Sequence, residues 1–163
     1  MLAAALWGDS IAGLKWTAPA SWKSQGRTSM RAATYVLAPA GGEAESGECV
    51  VYFFGAGQGG TIEANVDRWK SQFTQADGKP AAGKVGKQTV HGLAVTTIES
   101  AGDYLGMSGP NMQAGGVKHH YRLLGAIVEG PGGNIFIKFT GGEKTVAAHQ
   151  REYEALVGSF QKE

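Results

Sequence analysis

Cysteine is nearly absent from this chain. Cys49 is the only one in 163 residues. A lone cysteine excludes an intramolecular disulfide and any cysteine-based metal cluster. It opens an apolar run and reads as an inert buried thiol. Charge of one sign is also missing, since 15 Lys and Arg stand against 14 Asp and Glu. That balance gives no field for nucleic acid or an anionic membrane. No apolar stretch approaches the roughly 18 residues of a spanning helix. Metal-ligand spacing of the H-x-x-x-H kind does not occur among the four histidines. Ser108 lacks the strand-to-helix setting of a nucleophile elbow. These absences leave no catalytic constellation, no metal site and no cofactor site, and the chain reads as non-enzymatic.

Glycine is abundant instead, with 26 residues spread along the chain, roughly twice the usual share. Spread of this kind marks many tight turns between strands. Apolar alternation predicts strands at 13–17, 31–37 and 49–54, the three forming an antiparallel meander. A stripe of Ile62, Val66, Trp69 and Phe73 predicts a helix over about 61–73. Residues 85–90 and 93–98 flank His91-Gly92 as a hairpin. A second hairpin joins 119–128 to 135–139. In its second arm Ile135, Ile137 and Phe139 share one face, and Phe136, Lys138 and Thr140 share the other. A last helix is expected over about 144–160, buried through Val146, Gln150 or His149, Tyr153, Leu156, Val157 and Phe160. The order is β-β-β-α-β-β-β-β-α. Strands in runs predict an α+β fold on an antiparallel sheet. Residues 1–12 read as an N-terminal arm or leader remnant, because 1–6 are small and apolar. Residues 13–163 read as a single domain.

The segment Gly55-Ala56-Gly57-Gln58-Gly59-Gly60 is a literal G-x-G-x-x-G between a strand and a helix. A dinucleotide site needs a second parallel strand after that helix, closed by an acidic residue. Asp77 stands near the required distance, but in a turn with no apolar run before it. The loop is therefore read as a strand-to-helix turn. Gly141-Gly142-Glu143-Lys144-Thr145 lacks the phosphate-loop spacing and reads as a helix start.

Several segments together resemble the PsbP-like family. They are Leu14 to Trp22, Met30 to Tyr35, Val51 to Gly55 with Asn65 and Trp69, and Lys138 to Gly141. The resemblance spans nearly the whole chain as a pattern of strands and aromatic anchors. It implies a three-layer α/β/α sandwich with a central antiparallel sheet. It carries no shared catalytic machinery, so no catalytic residue follows from it. It implies a secreted or periplasmic binding or accessory module of a bacterial envelope, acting on a protein or envelope partner. A second function class stays open: a small-ligand-binding or enzymatic domain built on a long loop at 100–116 and its neighbours. The candidate binding residues are Tyr104, His119 and Tyr121, since long loops concentrate function. The adjacent His119 and His120 point to opposite faces of a regular strand and cannot share a metal without a bulge.

Overall fold

Side-chain alternation in one long hairpin divides the core. The strands are β9 (Lys118–Gly130) and β10 (Gly133–Gly142), paired antiparallel from Gly130 opposite Gly133 to Tyr121 opposite Gly142. Ile135, Ile137 and Phe139 of β10, with Leu124, Ala126 and Val128 of β9, enter one cluster. Phe136, Leu123 and Ile127 enter another on the opposite face. Both faces are apolar, so each needs a cover. A helix supplies it on each side: α1 (Ile62–Ser71) with Val66 and Trp69, and α2 (Glu143–Gly158) with Val146, Leu156 and Val157. The result is the expected α/β/α sandwich. These features come from a computed structural model that describes residues 8–105 and 117–163.

The remaining strands extend this hairpin to both sides. β5 (Gly47–Tyr52) pairs with β10, β4 (Arg31–Leu37) with β5, and the short β3 (Lys23–Ser24) with β4. On the other side β8 (Leu93–Tyr104) pairs with β9. Its outer edge takes β7 (Lys84–Val90) along its first half and β6 (Phe73–Thr74) at its end. Among the described residues every pairing is antiparallel, including the strands after α1, so the glycine loop leads into no parallel crossover there. Four glycines of that loop have φ between 69° and 113°. Asn65 donates to the carbonyls of Gly59 and Thr61 at 2.8 Å, and Thr61 caps the helix through Ala64 N–H at 3.1 Å.

Three expectations need correction. The first strand, β2 (Leu14–Thr17), does not join a meander with β4 and β5. It belongs to a separate small sheet, between β1 (Gly8–Ile11) and β11 (Gln161–Lys162). The cause is aromatic: Trp16 stacks on Phe160 with centroids 5.0 Å apart, which brings the end of the chain alongside β2. Second, the boundary expected at residues 12 and 13 falls inside the β1–β2 hairpin. Ala12 and Gly13, both with positive φ, form its two-residue turn. Residues 1–7 lie outside the described residues. Third, the first part of the loop expected at 100–116 is strand. Residues 100–104 continue β8, because Ser100, Ala101 and Gly102 pair with Leu123, Arg122 and Tyr121. Their weak strand propensity is overridden by that partner. Most of the expected loop, 106–116, lies outside the described residues.

Candidate functional site

Lys138 is a lysine buried inside the large sheet. Alternation along β10 turns it to the α1 face between Phe136 and Thr140, in the middle of the large sheet. It is only 8% exposed. Its Nζ donates to Gln72 Oε1 at 2.7 Å and to the Tyr104 hydroxyl at 3.2 Å, and lies 5.5 Å from the Tyr104 ring centroid. Among the described residues no carboxylate comes within ion-pairing distance of it. Glu48, which pulls its pKa up, reaches Arg31 instead, at 3.7 Å. Burial therefore prevails, aided by the positive charges of Arg31 and Arg68, and draws the ammonium down to about 8.

This amine lines a cavity of about 390 Å³ between α1, β5, β10 and the segment 28–31. The walls are aromatic. Tyr52 and Phe54 stack at 5.6 Å, Phe54 meets Phe136 at 5.6 Å, and Trp69 closes the helix side. Among the described residues three cations line it, Arg31, Arg68 and Lys138, and no lining residue is acidic. Arg31 lies over the Tyr52 ring at 5.6 Å. Met30, 58% exposed, stands among the lining residues as an apolar side chain in contact with water. The arrangement suits an anionic group carried on a planar or apolar body.

Local sequence explains how the site is held. α1 ends at Gln72, whose backbone N–H still bonds back into the helix while its side chain accepts from Lys138. Trp69, one turn earlier, lies on β9 at Gly125. A Cβ there would come within 2.5 Å of the indole, so glycine permits this helix to sit close. Phe73 packs against Tyr104 at 5.0 Å, which fixes the phenol that Lys138 uses. Burial holds the Tyr104 hydroxyl neutral, its pKa raised to about 12.

The three sequence-derived candidates separate. Tyr104 and Tyr121 stack at 5.6 Å with planes 8° apart, and Tyr104 touches the cavity chemistry through Lys138. Tyr121 donates its hydroxyl to Glu45, which also takes Lys118 on both oxygens at 2.7 Å. Those two donors hold the Glu45 carboxyl below its ordinary range. His119 is exposed and faces Asp103 at 2.8 Å. β9 carries one residue more than β8 between these pairings, and His120 takes a left-handed φ of 56° there. This bulge breaks the regular alternation expected for the two histidines. Among the described residues no three His, Cys, Asp or Glu side chains gather as metal ligands. Cys49 is fully buried, and burial pushes its thiol far up.

Another cavity, of about 460 Å³, lies between β7, β8, β9 and α2. Its charges are of both signs, Lys84 with Glu99 and Glu154, and Glu99 is taken by Arg122 at 2.6 Å. One signal for the α1-face site was legible beforehand: a lysine placed by alternation on the same face as Phe136. Arg31, Arg68 and Gln72 carried no such mark, because only the docking of α1 assembles them.

No family model matches the sequence, and no curated protein sequence is similar to it. Solved structures do match in shape. Cyanobacterial PsbP (CyanoP) from Synechocystis sp. PCC 6803 superposes with a TM-score of 0.52 at 11% identity, covering 96% of this chain and 91% of that one. A Pseudomonas aeruginosa protein of unknown function, PA94, described as a candidate regulator, gives 0.51 at 12% identity, covering 94% of each chain. At such identities the likeness concerns the fold, and the fold is PsbP-like. No helix among the described residues is long and apolar enough to cross a membrane.

Proposed function

We propose that this chain is a non-enzymatic binding or accessory module, exported to a bacterial envelope or secreted compartment. Its recognition surface is the α1-face cavity, and its partner presents an anionic group flanked by apolar or aromatic surface. One observation carries the reading: Lys138 is buried in the central strand, faces a cavity shared with Arg31 and Arg68, and has no carboxylate partner among the described residues. A buried cation without a counter-ion is costly, and a bound anion removes much of that cost. The cavity volume falls in the range of small-molecule sites, roughly 300–1,000 Å³. The match to CyanoP and to a candidate regulator concerns the fold. Recognition lies on the α1 face instead of the 100–116 segment, and Tyr104 is common to both.

Reversing the exposed charges tests it. Protein carrying Arg31→Glu and Arg68→Glu is compared with the unaltered chain in a pull-down from native envelope extract, after confirming equal melting. A partner retained by the unaltered chain and lost by the double variant supports the reading. Equal retention by both, or no specific retention by the unaltered chain, contradicts it.

A further inference from the structure

An amine attacks a carbonyl only in its neutral form, and exposed lysines are almost wholly protonated at neutral pH. Burial in an apolar pocket beside other cations is the established way to free the lone pair. Lys138 meets that condition on geometry. Its side chain is pinned in the central strand, and two of its three N–H bonds are directed at Gln72 and Tyr104. The third has no partner among the described residues, and the side chain lines an aromatic-walled cavity. A neutral phenol, Tyr104, stands 3.2 Å from the nitrogen. Arg31 and Arg68 line the same cavity and can hold an anionic end of the same molecule.

We propose that Lys138 captures small aromatic aldehydes bearing an anionic group as a reversible imine. The neutral nitrogen attacks the carbonyl carbon, and the C=O π pair moves to oxygen, which takes a proton. Tyr104 is placed to relay that proton and recover one from the nitrogen. The carbinolamine then loses water as the C=N bond forms. Overall, ammonium plus aldehyde gives iminium plus water, so the positive charge stays where Gln72 already accepts from it. No oxidant or reductant takes part. The inference rests on the reading that this cavity is the ligand site.

With the amine at about 8, roughly a quarter is neutral at pH 7.5, about two hundredfold more than for a lysine at 10.5. The lower basicity costs some nucleophilicity, so labelling at least tenfold faster than at exposed lysines is expected. The probe is 4-carboxybenzaldehyde with cyanoborohydride at pH 7.5, with adducts located by peptide mass spectrometry. A single early adduct on Lys138, slowed in Tyr104→Phe and absent in Lys138→Arg, supports the inference. The alcohol 4-(hydroxymethyl)benzoate, which cannot form an imine, is titrated by calorimetry in parallel. If the alcohol binds while adducts scatter over exposed lysines such as Lys84 and Lys87, the covalent inference fails and the binding reading stands. If the alcohol does not bind and no adduct favours Lys138, both fail.

Discussion

Replacing Lys138 with methionine should stabilise the protein at neutral pH, although it removes two hydrogen bonds. The amine sits at about 8 in the fold against 10.5 in the unfolded chain. A group whose folded pKa is depressed and whose charged form is the protonated one costs stability while it stays charged. That cost is fully present below pH 8 and is relieved as pH rises toward 10.5. At pH 7 it amounts to about 3 kcal/mol, at roughly 1.4 kcal/mol per pH unit. Methionine has a similar length and no charge. It leaves the buried Gln72 carbonyl unpartnered, which costs about 1–2 kcal/mol. The net gain at pH 7 is therefore about 1–2 kcal/mol. Urea denaturation of both proteins at pH 7 and 9.5 checks the reasoning. The buried tyrosines also titrate differently in the fold, but they are common to both proteins and cancel in the difference. The unaltered chain should recover about 2 kcal/mol on the variant over that interval. A difference that stays flat with pH would refute a buried, unpaired ammonium.

Three further predictions concern the frame around the site. Trp69→Ala should cost about 3–5 kcal/mol in denaturant unfolding, since the indole is 5% exposed and fills the space above Gly125. Gly125→Ala should cost about 1–3 kcal/mol by the same measurement, because the methyl collides with that indole and with Ile98. Glu43→Ala should cost about 1 kcal/mol, since its carboxylate caps α2 by accepting from Thr145 N–H at 2.7 Å where Gly142 offers no side chain. Burial opposes ionisation of Glu43, yet the Thr145 hydroxyl and amide outweigh it and lower its pKa. The cap's contribution is thus present above the unfolded value of 4.5 and lost as pH falls through the folded one. Acid melts of the two proteins should converge there.

The long elements were legible because their signals are periodic. The stripe of Val66 and Trp69 needs only helical spacing, and Ile135, Ile137 and Phe139 need only alternation. The His91-Gly92 turn was legible because both residues take positive φ, 46° and 78°, as a two-residue hairpin requires. The short strands β1, β3, β6 and β11 were not, since each exists only through its neighbour. The site was half legible. Alternation put Lys138 among apolar residues, but its importance depends on Gln72 and Tyr104, which lie 66 and 34 positions away in sequence. Tyr104 was singled out for its place within an expected loop, and the structure gives it a different setting, at the end of β8.

The central claim is that the α1-face cavity receives an anionic group. Amide chemical-shift mapping of the labelled protein with benzoate tests it most directly. Shifts clustered at Arg31, Tyr52, Arg68, Gln72 and Lys138 are expected to saturate together and to vanish in Lys138→Met. Shifts centred instead on the cavity by Lys84, Gln150 and Glu154, or spread over the surface without saturation, would contradict it.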